Sequence, residues 1–229
     1  MLLLVNFLLF AGLLAAPSGA GVPDAYFCTS QGTVLHYQRF AAGTDKLWWD
    51  HSESIDAVRA VPGGLEIDVT STITSPIGKS PVKEPVHSQV FVRTDASVEV
   101  DVSAAAAEAA RQRFAALDFT SSGGVSVLPP NLVPGGRLPE IHSVVQWTGI
   151  KLTIDYTERE VLRTETITVP AGTFDCVVVK EHKMEKAPFH RRERVTLTWY
   201  ARGIGMVRHD TLFTDGKAET TEVLVKAGK

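Results

Sequence analysis

Thr166-Ile167-Thr168-Val169-Pro170-Ala171-Gly172-Thr173-Phe174-Asp175-Cys176-Val177-Val178-Val179-Lys180 is the stretch that decides how the chain is read. Val, Ile, Thr and Phe crowd both sides of Pro170 and Gly172, and such side chains suit a pleated, half-buried surface. Proline fixes φ and donates no ladder hydrogen bond, while glycine reaches the conformations that turns need. Pro170-Ala171-Gly172-Thr173 therefore separates two strands. Alternation along a strand puts Phe174, Cys176 and Val178 on one face and Asp175 and Val177 on the other. Farther on, Trp199-Tyr200-Ala201-Arg202-Gly203-Ile204-Gly205-Met206-Val207 has the same build of strand, glycine turn and strand. Pro170, Gly172, Phe174, Trp199, Gly203 and Gly205 are thus expected to be structural: turns and core of neighbouring strands. Gly203-x-Gly205 is no phosphate loop, because a third glycine and a following helix are both missing.

The rest of the chain extends this pattern in both directions. Strand-like runs are expected at residues 33–39, 46–56, 65–73, 86–93, 97–102, 144–148, 151–162, 165–169, 173–183, 191–200, 206–213 and 218–225. Asp215-Gly216 between the last two marks a hairpin, since this pair tolerates the positive φ of a type I′ turn. Residues 75–85 hold Pro76, Pro81 and Pro85 and read as a loop or edge excursion. One segment prefers helix, 103–117, dense in alanine and opening on Ser103 as a cap, with Ala110, Phe114 and Leu117 along one side. Residues 118–140 are punctuated by Gly123-Gly124, Pro129-Pro130 and Gly135-Gly136 and read as loop. The fold class is therefore mainly β, with one large curved antiparallel sheet or incomplete barrel of about ten to twelve strands and one covering α-helix.

The chain has 229 residues, with 23 Lys+Arg against 26 Asp+Glu and a net charge of -3. That balance offers no long-range field for a polyanion, so nucleic acid is excluded as an expected partner. The first sixteen residues are almost wholly apolar and lead into Pro17-Ser18-Gly19-Ala20. This length is short for a membrane helix of roughly 20 residues, and the small residues suit a signal peptidase. The expected organisation is a signal peptide at 1–20 and a single β-rich domain at 21–229. Membrane contact is expected only if the signal stays uncleaved. The location follows: exported, periplasmic or extracellular.

Two cysteines exist, Cys28 and Cys176, and export carries them into an oxidising compartment. One disulfide is the simple arithmetic, worth roughly 4–5 kcal/mol in the chain-entropy picture for so long a loop. The alternative is a pair of unpaired thiols, one of them in the core.

The two motifs at 166–176 and 199–207 resemble those of the TapB-like family of exported bacterial proteins of unknown function. The resemblance extends to Cys28 near the mature amino terminus and to Leu128-Pro129-Pro130-Asn131-Leu132-Val133-Pro134-Gly135-Gly136-Arg137-Leu138-Pro139. It implies an export signal, a mostly antiparallel β fold and a cysteine pair, with no established reaction.

No catalytic, cofactor-binding or metal residue is singled out. The seven histidines, His36, His51, His87, His142, His182, His190 and His209, show no ligand spacing with one another or with cysteine. Ser80-Pro81-Val82-Lys83 matches Ser-x-x-Lys in letters alone, because the serine of that motif needs the start of a helix. His190-Arg191-Arg192-x-Arg194 puts Arg192 and Arg194 on one face, as a solvated hairpin end. The function expected is a non-catalytic binding or structural module of the cell envelope, taking an apolar ligand or an envelope protein. The alternative is a hydrolase whose site gathers distant groups such as Asp175, His182 and His209.

Overall fold

The strand-rich stretches pair into one antiparallel sheet in the computed structural model, which describes residues 24–76, 80, 82–113 and 117–229. The signal peptide expected at 1–20, Pro81 and Phe114 lie outside the described residues. In chain order the strands are β1 (Val34–Ala41), β2 (Leu47–Val61), β3 (Gly64–Thr74), β4 (Val86–Arg93), β5 (Val98–Asp101), β6 (Thr120–Gly123), β7 (Val125–Leu128), β8 (Ile141–Trp147), β9 (Ile150–Val169), β10 (Gly172–Ala187), β11 (His190–Ala201), β12 (Gly205–Leu212) and β13 (Ala218–Gly228). Helix α1 (Val102–Arg113) lies between β5 and β6.

Spatial order runs β6-β8-β9-β10-β11-β12-β13-β1-β2-β3-β4-β5-β7. The two edge strands, β6 and β7, are separated in the chain by Gly124 alone. Laid flat, thirteen strands would hold their edges roughly 55–60 Å apart. One intervening residue spans only a few ångströms. The sheet must therefore curl until its edges meet, and the result is a barrel closed except at one seam. Arg159 of β9 donates across that seam to Ser126 Oγ of β7, at 3.1 Å.

Local irregularities supply the curvature. Glu158 and Arg159 together face Glu181, a β-bulge with Glu158 at φ 50°. Such a bulge re-aims the next side chain, and Arg159 turns inward as a result. A second bulge between Val178 and Val179 lies in the same hairpin. The sequence reading of two strands at 151–162 and 165–169 is corrected here: they form the single strand β9, bent by these bulges. The reading of 118–140 as loop is also corrected, since β6 and β7 fall within it. The last hairpin is not type I′: Gly216 has φ 85° and Asp215 is not in the positive-φ region, while Phe213 N donates to Lys217 O at 2.8 Å.

The core is one continuous cluster that includes Leu35, Ile55, Ile67, Val92, Val178, Val179, Val207 and Leu224. Each such side chain contributes roughly 1.5–3 kcal/mol by leaving water. Cys176-Val177-Val178-Val179 is apolar without alternation because all four are buried, so this part of β10 is covered on both faces. A smaller cluster joins Ala107 of α1 to Phe119 and Val145, with Ala110 and Leu117 against it. The helix thus covers the concave face beside β8, and Gln112 ties it to Pro85 O before β4 at 3.0 Å. Its cap is Asp101, whose Oδ1 accepts from Ser103 N and Ala104 N at 3.0 Å. Ser103, expected as the cap, instead donates to Gly123 O at 2.7 Å and pins the seam.

The expected Cys28–Cys176 disulfide is not formed; both are buried free thiols. Cys176 pairs across the ladder with Glu165 and Ala201 and shares their face of β10, while Cys28 lies in the segment before β1; both are buried in the core cluster. The amino-terminal segment is held by other means. Gly203 N donates to Ala25 O at 2.8 Å, Arg202 donates to the carbonyls of Asp24 and Pro130, and its guanidinium lies 4.6 Å from the Tyr26 ring. Burial pushes the Cys176 thiol up to about 11, which keeps it protonated and slow to react. Alkylation of denatured protein without reductant is expected to label both cysteines. Labelling that appears only after reduction would contradict the free thiols.

Candidate functional site

The interior of the barrel is where chemistry-bearing side chains converge. Directly opposed residues run from Trp49 on β2 through Arg39, Glu222, His209, Thr198 and Val179 to Val161 on β9. Opposed residues share a face, so this row circles the inside of the wall. Alternation then brings Tyr37, His51 and Glu53 inward from β1 and β2, Tyr200 from β11, and Glu181, Lys183 and Glu185 from β10.

Two cavities occupy this interior. One, about 260 Å³, is walled by Val69, Val90, Val98, Val100, Leu128 and Met206, with Tyr26, Phe27, Tyr37 and Tyr200 as aromatic panels and Glu53 as its carboxyl group. The other, about 130 Å³, is polar and lined by Arg39, Tyr156, Lys183, Glu185, Arg192, Arg194 and His209. Every cation of the polar cavity has an anionic partner. Lys183 meets Glu185 at 2.7 Å, and Glu219 takes Arg192 at 3.0 Å and Arg194 at 2.8 Å. Arg39 donates twice to Glu222 Oε2, at 2.9 and 2.6 Å.

Glu222 organises the boundary between the two cavities. Its Oε1 meets His51 Nδ1 at 3.0 Å, and His51 Nε2 lies 3.6 Å from Glu53 Oε1. Burial works to raise the Glu222 carboxyl, but the His51 hydrogen bond and the Arg39 charge outweigh it and hold it at about 2. Burial likewise opposes charge on His51, yet the Glu222 hydrogen bond and the two neighbouring carboxylates push its pKa up. On Glu53 burial and the Glu222 charge push the carboxyl up, and the neighbouring His51 charge offsets this only in part. His209, bonded to Thr198 Oγ1 at 2.9 Å, is lowered to about 4 by burial and by the Arg39 charge, so it is neutral at neutral pH. The phenols of Tyr37 and Tyr200 are raised by burial.

The residues singled out in the sequence lie elsewhere. Pro170 and Gly172 (φ 141°) form the β9–β10 turn, and Phe174 is partly buried beside the core. Trp199 is buried, donates from Nε1 to Glu165 at 3.0 Å, and has the Arg208 guanidinium 4.8 Å from its ring. That hydrogen bond, with Arg163 beside it, holds the Glu165 carboxyl below the usual range. Gly203 (φ 70°) turns β11 toward β12. Gly205 (φ 97°) holds a backbone conformation that side chains rarely adopt, and a Cβ there would make only ordinary contact with Phe27, 3.7 Å from its Cα. Gly205 also lines the apolar cavity.

Asp175, His182 and His209 do not converge. Asp175 accepts from Thr166 Oγ1 at 2.6 Å and is exposed, His182 pairs with Glu193 at 2.9 Å on the opposite face of β10, and His209 lies inside the barrel. Ser80 donates to Ile73 O and opens no helix among the described residues. Arg192 and Arg194 share a face as expected; Arg192 is exposed near the hairpin end, and both side chains also line the polar cavity. Among the described residues, no group of three His, Cys, Asp or Glu side chains could hold a metal ion.

Residues 30–224 match the DUF3108-like family, well over half of the chain. This chain belongs to the DUF3108-like family. The TapB-like name suggested by the motifs is not the one the match supports. In this chain Pro170-Ala171-Gly172 and Gly203-x-Gly205 form turns between neighbouring strands, so what these motifs report is turn geometry. Two solved structures carry the same fold as this DUF3108-like chain. A candidate lipoprotein from Parabacteroides distasonis aligns with a TM-score of 0.71 at 19% identity, over 90% of this chain and 99% of that one. A candidate exported protein with a YmcC-like fold from Bacteroides fragilis aligns with a TM-score of 0.72 at 21% identity, over 90% of this chain and 100% of that one. No curated protein sequence matches it.

Proposed function

We propose that the protein is an exported binding module of the cell envelope that holds a small apolar ligand inside its barrel. The observation that carries this reading is the cavity of about 260 Å³, walled by valines, Leu128 and aromatic rings. It approaches the size of small-molecule sites, about 300–1,000 Å³, which are mostly apolar with a few placed polar groups. An interior cavity favours a small ligand over a protein partner, because a partner's surface reaches only the rim. Export is supported by the apolar leader with its small-residue exit. The descriptions of the two structural relatives as a candidate lipoprotein and a candidate exported protein point the same way.

Native mass spectrometry of protein purified from its own host without detergent, followed by solvent extraction, is expected to find a small organic molecule bound. Val100→Phe, which fills the cavity from its wall, should remove it. Repeated recovery of empty wild-type protein would count against the reading.

A further inference from the structure

We infer that the apolar cavity is built for a small organic cation, an ammonium group on a hydrocarbon body, with Glu53 as its counter-charge. This rests on the cavity being a ligand site, as proposed above, and assigns the chemistry of what enters. Glu53 lines the apolar cavity, and 28% of its side-chain surface remains reachable.

Among the described residues no donor reaches it within hydrogen-bond distance; the nearest is His51 Nε2 at 3.6 Å. The neighbouring donors are committed elsewhere or stop short. Arg39 on β1 gives Nε and Nη2 to Glu222; His51 on β2 meets Glu222 through Nδ1, and its Nε2 faces Glu53 as an ion-pair partner shared with Glu222, beyond hydrogen-bond reach. Tyr37 on β1 donates its hydroxyl to Met206 O at 3.0 Å. The other ionisable groups nearby, Glu222 on β13, Tyr200 on β11 and Cys28 in the amino-terminal segment, bring no positive charge.

A carboxylate facing apolar walls is costly unless it is paired and hydrogen-bonded. His51 gives Glu53 a charge shared with Glu222 but no hydrogen bond, and an ammonium ion would supply the charge-assisted hydrogen bonds. The rings of Tyr26, Phe27, Tyr37 and Tyr200 around the same cavity offer π faces that attract a cation. A neutral hydrocarbon would leave Glu53 as it is, and a fatty carboxylate would set like charges together. At roughly 30 Å³ per water-sized volume, the cavity has room for a ligand of about eight or nine heavy atoms.

Three probes of nearly equal size separate the outcomes: n-hexylammonium, 1-hexanol and hexanoate, titrated calorimetrically at about pH 8, where the amine is still protonated and carboxylates are charged. Hexylammonium is expected to bind wild-type protein at least ~10-fold tighter than hexanol, with hexanoate weakest. In Glu53→Gln, which keeps the side-chain shape, that preference should fall to within about twofold of parity. Equal binding of hexylammonium and hexanol to wild type, or tightest binding of hexanoate, overturns the inference and leaves the apolar-ligand reading standing. A preference that persists in Glu53→Gln overturns it as well, by placing the counter-charge elsewhere. Failure of all three probes to bind wild type sinks both. The wild-type ranking decides the matter even if the variant does not fold.

Discussion

Glu181→Ala is expected to destabilise the fold by about 3–5 kcal/mol, the cost of leaving one partner of a buried ion pair without its counter-charge. The side chains of Arg159 and Glu181 are 1% and 9% exposed and meet at 2.7 Å. The remaining guanidinium donors go to Pro139 O at 2.6 Å and Ser126 Oγ at 3.1 Å, so a single side chain joins β9, β10, the 129–140 segment and β7. Without Glu181 the positive charge stays inside the wall, far from water. Against a typical total of roughly 5–15 kcal/mol, the loss is a large fraction of stability. The double substitution Arg159→Met with Glu181→Leu should recover most of it, because replacing both charges by apolar groups removes the desolvation problem altogether. Guanidinium unfolding of the two variants beside wild type reads this directly. A cost below about 1 kcal/mol for Glu181→Ala, as for an exposed pair, would show that the charge finds water when the partner is gone.

The second large effect is expected at Gly123. Its φ of 70° is a region that a Cβ disfavours, and an added Cβ would lie 2.4 Å from the His142 carbonyl oxygen. The contact is with backbone of the neighbouring strand, so it is relieved only by pulling β6 away from β8 at the seam. Gly123→Ala should therefore cost at least about 3 kcal/mol, combining backbone strain with the loss of packing around the displaced strand. Gly149→Ala is the matched control, since Gly149 has φ 80° but nothing within 4 Å of an added Cβ. It should cost only the conformational part, about 1–2 kcal/mol. Equal destabilisation of the two variants in thermal or denaturant unfolding would mean that the seam yields without penalty.

The architecture was legible because most strands carry their own evidence. Residues 86–93 read as a strand from composition and period, and β4 occupies the same bounds. The glycine and proline punctuation at Pro170, Gly172, Gly203 and Gly205 located turns and bends that the barrel uses. β6 and β7 were not legible: each has four residues, and Gly123-Gly124 between them looks like a loop. They are strands only because β8 and β5 offer ladders to them.

The candidate site was hidden for a different reason. His51 and Glu53 alternate with Asp50, Ser52 and Ser54, so both faces of β2 are polar and the pattern carries no information about which one turns inward. Arg159 was hidden by the Glu158 bulge, since one extra residue exchanges the two faces of a strand. The cysteines misled because their number and compartment suggested a pair, whereas pairing depends on where two side chains point.

The sequence by itself determined a mainly β protein with one alanine-rich covering helix and a pair of motifs that mark turns. These follow from local properties: side-chain shape, alternation, and the φ preferences of proline and glycine. Tertiary structure alone decided that the sheet's edges meet at Gly124, that Cys28 and Cys176 remain thiols, and that Glu53 lines an apolar cavity with no hydrogen-bond donor in reach among the described residues. Each of these depends on which distant strands become neighbours, and that is set by curvature and register accumulated over thirteen strands rather than by any one stretch of chain.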